Sequence, residues 1–131
     1  MIYGIGIDIV EIPRLERVIE RWGARFLDRV FCQGEQKRCL STSRPAAGLA
    51  ARFAAKEAFV KALGTGFRNG MAPRQICVRQ RENGAPYIEI NGMVKQVAEE
   101  KGIRSWHLSL THEKGHAVAV VVLEIDGTEK K

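Results

Sequence analysis

The chain opens on a strict alternation. Ile5, Ile7 and Ile9 share one side of an extended segment, while Gly4, Gly6 and Asp8 share the other. This period of two predicts a strand over Ile2 to Glu11 with one greasy face. The opposite face is almost bare before it presents a carboxylate. Glycine weakens a strand interior, so two in alternation imply close approach of a ligand or of another piece of backbone. The period then changes. From Pro13, a residue suited to the first turn of a helix, Leu15, Val18, Ile19 and Trp22 recur at helical spacing until Gly23. Ala24 to Leu40 predicts short helical pieces with Phe26, Leu27, Val30 and Phe31 inside. Ser41 to Pro45 carries turn chemistry. Ala46 to Leu63 is rich in Ala, Leu, Lys and Glu, all strong helix formers, and stops at Gly64-Thr65-Gly66.

After a glycine-rich loop over Phe67 to Pro73, Gln75 to Arg81 and Tyr87 to Ile90 read as strands joined through Asn83-Gly84, a hairpin signal. Met93, Val94, Val97 and Ala98 predict a short amphipathic helix closed by Gly102. Trp106, Leu108 and Leu110 alternate with His107, Ser109 and Thr111. A turn at Glu113 to Gly115 then leads into a β-branched, central strand from Ala117 through Ile125. This order predicts an α+β fold, a small antiparallel sheet packed on one face against the long central helix. So few strands leave a face or an edge for another subunit to finish.

Composition narrows the class. The 131 residues predict a single domain able to bury its own core. With 45% hydrophobic and 27% charged residues the chain is ordinary for a globular protein, and only the short polar tail, Gly127 to Lys131, is expected to be loose. No apolar run approaches the roughly 20 residues needed to cross a bilayer. No basic leader precedes MIYGIGIDIV, so no signal peptide is expected. Cys32, Cys39 and Cys77 are odd in number and match neither a zinc ribbon nor a C-x-x-C pair, which predicts free thiols in a reducing cytoplasm. The net charge of +6 favours an anionic partner: nucleic acid, anionic lipid or an acidic protein.

The charges on the central helix have two readings. Phe53, Glu57 and Lys61 lie along one face, with Arg52 and Lys56 in the row beside them, so Glu57 is flanked by three cations. Either this is a solvated, salt-bridged surface helix, or Glu57 holds a metal while Lys61, Arg52 and the glycine-rich end hold phosphates. Asp8 is equally an exposed strand-end acid or a member of that site. Arg14, Arg17, Arg21 and Arg25 recur every three or four residues, with Glu16 and Glu20 off the row. An arginine ladder of this kind suits an acidic partner or a nucleic acid. No aromatic stacking pattern or recognition motif accompanies it.

Taken together, GIGIDIVEI and RFAAKEAFVKALGTG resemble the bacterial holo-acyl-carrier-protein synthases, a group of phosphopantetheinyl transferases. The family pattern has an aspartate in the first strand, here Asp8, and a W/F-x-x-K-E-A-x-x-K helix, here Phe53 to Lys61. LSLTHEKGHAVAVVVLE matches as well, so the likeness covers essentially the whole chain. The resemblance implies transfer of 4′-phosphopantetheine from coenzyme A to a serine of apo-acyl carrier protein in fatty acid biosynthesis, leaving adenosine 3′,5′-bisphosphate. It implies Asp8 and Glu57 as ligands of Mg²⁺, a hard cation that takes carboxylates, waters and substrate phosphates. The bare strand face would then leave room for metal and nucleotide. Lys61 would bind phosphates and assist the leaving oxygen. Arg44, Arg52, Gly64, Thr65 and Gly66 would serve the coenzyme A phosphates, and His112 would contact the 3′-phosphate. The base is Glu57 or a metal-bound water relayed through a carboxylate. Arg14, Arg17, Arg21 and Arg25 would face the acidic carrier protein. Homotrimers with active sites shared between neighbours would fit the short sheet. His107 and His116 take no role. Cys32-Gln33-Gly34-Glu35 departs from relatives that lead this helix with Thr or Ser, which weakens a cap worth ~1 kcal/mol. The rival is a small basic nucleic-acid-binding protein, which leaves Asp8 and Glu57 unexplained.

Overall fold

The central helix α4 (Pro45–Leu63) organises the computed structural model, which describes residues 1–127. The loose tail expected from Gly127 onward lies, from residue 128, outside the described residues. Pro45 occupies the first turn of α4, and Gly64 closes it in the left-handed region at φ 81°. Leu49, Ala50, Ala54, Ala55, Ala58 and Phe59 are all buried, so α4 is covered on nearly every side. A helix apolar all round belongs in a core. The solvated, salt-bridged surface helix is thereby excluded.

One side of α4 packs on a three-stranded antiparallel sheet of order β1-β5-β4, with β1 (Ile2–Glu11), β4 (Ile103–His112) and central β5 (His116–Ile125). Gly4 and Gly6 are the contact. A Cβ on Gly4 would stand 2.1 Å from the Ala62 carbonyl oxygen, and one on Gly6 would stand 1.8 Å from that of Ala58. These glycines let strand backbone lie against helix backbone. The bare face is filled by α4 and is not left open for metal and nucleotide, which corrects the expectation drawn from the family. The greasy face is the outer one: Ile5, Ile7 and Ile9 are 62%, 60% and 62% exposed. They pair across to Val122, Val120 and Val118, which lie half-buried beside them.

On its other side α4 carries α1 (Ile12–Trp22), α2 (Ala24–Val30) and α3 (Gln33–Leu40). Ile12, Leu15, Leu27, Val30 and Phe31 close a second core there against Leu49 and Ala50. The hairpin β2 (Ile76–Gln80) and β3 (Pro86–Ile90) forms a separate two-stranded sheet, followed by α5 (Gly92–Glu100). Its turn uses Asn83, whose Oδ1 accepts from the Ala85 N–H, and Gly84 at φ 87°.

The cysteines do not stay free as expected. Cys32, at the start of α3, forms a disulfide with Cys77 in β2 across 45 residues, and only Cys39 remains a thiol, buried. Spacing along the chain carries no trace of this pairing, because tertiary contacts bring the two elements together. The missing hydroxyl cap at Cys32 is offset by Glu35, whose carboxylate turns back to accept the Cys32 N–H at 2.9 Å.

Candidate active site

The packing of β1 on α4 places the acids. Gly4 meets the helix at Ala62 and Gly6 meets it at Ala58, so Asp8, next in the row, arrives at the preceding turn. There Lys61 Nζ donates to Asp8 Oδ1 at 2.9 Å and to the Ile7 carbonyl at 3.1 Å. Asp8 and Glu57 line one groove of about 410 Å³ together with Arg14, Phe26 and Phe53. Burial raises the pKa of Glu57, the neighbouring Asp8 charge raises it further, and Lys61 opposes both. Three carboxylates, Asp8, Glu11 and Glu57, line the groove with the Arg14 guanidinium, and the Lys61 ammonium on Asp8 still leaves one negative charge unmatched, a donor set that fits a hard divalent cation.

Lys56 and Arg52 do not flank Glu57 as the row of charges predicts. Successive helical residues point about 100° apart, and Lys56 turns into the core with no exposure at all. Its Nζ donates to Glu35 Oε1 at 2.8 Å, to the Pro73 carbonyl at 3.1 Å and to the Ile76 carbonyl. Three acceptors define an ammonium. Burial nevertheless holds its pKa below the ordinary lysine range, with the Glu35 carboxylate pulling the other way. Glu35 was missed in the sequence. The only local sign of it is its place three residues after a helix-leading position, the spacing of a capping box.

A second cluster lies apart from the acids. Arg44, Arg52 and His112 line a cavity of about 500 Å³ with Arg38, Lys114 and Gln80, and none of these lines the acid groove. Arg44 donates to the Lys114 carbonyl at 2.8 Å. Arg52 is 7% exposed and donates to the Gly48 carbonyl at 3.1 Å, while its buried Nε has no partner. A guanidinium with an unsatisfied N–H beside a cavity rich in positive charge is chemistry suited to an anion. Gly64, Thr65 and Gly66 follow Lys61 at the end of α4, with Gly66 also at positive φ, 65°.

Arg14, Arg17, Arg21 and Arg25 are all exposed. Arg14 opens on the acid groove, and Arg25 lines an adjoining groove of about 350 Å³ with Val18, Trp22, Phe26 and Arg29. Arg21 lies over the Trp22 ring, 5.2 Å from its centre. The ladder thus runs beside the acids, since the two grooves share Val18 and Phe26. His107 contacts Glu124 at 2.6 Å, far along β4 from His112.

An acid pair in one groove with a lysine on one of the acids, and a buried arginine in a cationic cavity, are chemistry suited to an α+β enzyme that handles phosphate esters. The sequence profile of the 4′-phosphopantetheinyl transferase superfamily matches residues 4–121, and the chain belongs to that family. It is 49% identical over 124 residues to the holo-[acyl-carrier-protein] synthase of Trichlorobacter lovleyi, covering 95% of this chain and 98% of the relative. Its fold is similar to the crystal structure of the synthase from Neisseria meningitidis, with TM-score 0.87, 38% identity and coverage of 95% of this chain and 99% of that one. It is also similar to the Helicobacter pylori synthase in complex with coenzyme A, with TM-score 0.81, 33% identity and coverage of 92% and 99%.

Proposed function

We infer that this protein transfers 4′-phosphopantetheine from coenzyme A to a serine of apo-acyl carrier protein, yielding holo-acyl carrier protein and adenosine 3′,5′-bisphosphate for fatty acid biosynthesis. The observation that carries this is the meeting of the strand acid Asp8 with Glu57 in a single groove, with Lys61 of the same helix paired to Asp8, in a chain so similar to the synthases.

Asp8 and Glu57 are the proposed Mg²⁺ ligands, since their oxygens are hard donors in a groove that also carries Glu11 and whose positive charges are Arg14 and the Lys61 paired to Asp8. Bound there, Mg²⁺ supplies charge neutralisation for the diphosphate. Lys61 is half-exposed and held by Asp8, so its ammonium can pass to the phosphate oxygens and meet the charge that develops on the departing bisphosphate. Glu57, in the groove with Asp8, is placed to accept the serine proton directly or through a water. The serine oxygen bonds to the phosphorus of the pantetheine phosphate as the diphosphate P–O bond breaks. The backbone of Gly64 to Gly66 lies beside Lys61 for further phosphate contact.

Arg44, Arg52 and His112 are proposed to hold a coenzyme A phosphate in the cationic cavity. The cavity and the acid groove share no lining residue, so each cavity would serve the groove of a neighbouring copy in a homotrimer. The open apolar face of Ile5, Ile7 and Ile9 supplies a surface that a second copy would cover. A sedimentation mass equal to one chain would remove this assembly. Among the described residues no helix is long and apolar enough to cross a membrane, and we place the reaction in the cytoplasm.

The exposed ladder Arg14, Arg17, Arg21 and Arg25 beside the groove is proposed to dock the acidic carrier. Reversing Arg14 and Arg21 to Glu should raise KM for the carrier about tenfold at low salt, and the wild-type KM should climb with ionic strength. An unchanged KM would discard the ladder as a docking surface. The reaction itself is tested by the intact mass of apo-carrier protein incubated with this protein, coenzyme A and Mg²⁺. Gain of one phosphopantetheine, abolished by a chelator, is expected; no gain would refute the activity.

A further inference from the structure

The Cys32–Cys77 bridge has no part in the acid groove, yet it ties together two walls of the cationic cavity. Cys32 leads α3, whose Arg38 and Cys39 line that cavity, and Cys77 lies in β2, whose Gln80 lines it as well. Glu35 joins the same two elements: its carboxylate accepts the Cys32 N–H at 2.9 Å and the Val78 N–H at 2.9 Å, and pairs with Lys56. One buried side chain therefore holds the backbones around both cysteines, with their Cα atoms 6.0 Å apart, a separation that a disulfide spans. None of these contacts runs through the sulfurs, so opening the bridge leaves the ties of Glu35 in place. Cys77 is 2% exposed and Cys32 is half-buried, so an incoming thiolate meets the Cys32 sulfur first.

We propose that Cys32–Cys77 is a thiol-exchange site, a reversible staple whose state sets how tightly the cationic cavity holds its anion. The co-reactant is a small dithiol or a dithiol protein. Its thiolate bonds to Cys32 Sγ, the Cys32–Cys77 bond breaks, and Cys77 leaves as a thiolate and takes up a proton. The second thiol of the reagent then displaces Cys32, giving two protein thiols and one oxidised reagent, a two-electron exchange. In a reducing compartment such a bridge follows the thiol pool. With the bridge open, the walls carrying Arg38 and Gln80 are held together by fewer ties, and the anion is gripped less firmly. That this anion is a phosphate of coenzyme A rests on the function proposed above; the exchange itself does not.

The test uses the full chain, unreduced and after dithiothreitol. In denaturant the unreduced protein should show one titratable thiol, Cys39, and the reduced protein should show three. Reduction should lower Tm by about 10 °C and raise KM for coenzyme A about fivefold, the scale of an ordinary coupling between sites, with kcat nearly unchanged and both shifts reversed by re-oxidation. Cys32→Ser/Cys77→Ser should sit at the reduced values and ignore the reagent. Three titratable thiols before reduction, or a Tm or KM that reduction leaves in place, overturns the proposal. If neither form transfers phosphopantetheine, the coenzyme reading fails, and the thiol count and Tm still decide the exchange site.

Discussion

Replacing Glu57 by Gln is expected to lower kcat by about 10²- to 10⁴-fold while the protein still folds. Glutamine keeps the shape of the side chain and removes only its charge and its basicity. The loss should therefore fall on turnover and on metal affinity. The pKa of Glu57 gives this prediction a second arm. A glutamate whose folded pKa is raised binds its proton more tightly in the folded chain than in the unfolded one. Its contribution to stability is fully present below the ordinary glutamate range and is lost as pH climbs to the raised value. Above that window the ionised carboxylate, crowded by burial and by Asp8, is a standing destabilisation that Glu57→Gln removes. Without divalent metal the variant should melt at or above wild type near about pH 7, and the difference should vanish below about pH 4. Mg²⁺ should raise the wild-type Tm and leave the variant's in place. A variant that keeps its turnover would take Glu57 out of the chemistry, and one that melts below wild type at neutral pH would show that the ionised carboxylate is no burden on the fold.

The elements were legible because their periods are clean: alternation around Asp8, a helix-forming run up to Gly64, and a β-branched run that became the central strand β5. Which side of the strand faces the core was legible only as an alternative, since the two glycines called for close approach of a ligand or of another piece of backbone. Alternation separates two faces, and hydrophobicity points to Ile5, Ile7 and Ile9 as the inner one. The core side is instead that of Gly4 and Gly6, because backbone packed on backbone has no room for a side chain. The meeting of Asp8 with Glu57 and Lys61 was legible through two motifs read jointly. Lys56 was misread for the opposite reason. Charged residues on a helix are assigned to solvent by default, and its partner Glu35 lies 21 residues upstream, beyond any local spacing. The Cys32–Cys77 pair was hidden in the same way.

Breaking the Lys56–Glu35 pair should be among the most destabilising changes in this protein. Both side chains are wholly buried and sit 2.8 Å apart. Glu35→Leu leaves an ammonium in the core with the Pro73 and Ile76 carbonyls and the Phe31 ring but no counter-charge, and it strips the Cys32 and Val78 N–H groups of their acceptor. Loss of one partner of a buried pair costs about 3–5 kcal/mol, roughly 10–20 °C in Tm for a chain of this size. Lys56→Met should be milder, because Glu35 keeps its two N–H donors and can take a proton. The double variant Glu35→Leu/Lys56→Met should unfold at higher urea than Glu35→Leu alone, although it carries one more substitution, since no uncompensated charge remains. Effects that simply add across this cycle would show that the two groups are not coupled. The pair also bears on the acid groove. With Lys56 locked into the core, the next residue along α4 points about 100° away, which turns Glu57 toward Asp8. A buried pair on one side of the helix thereby orients the acid on the other.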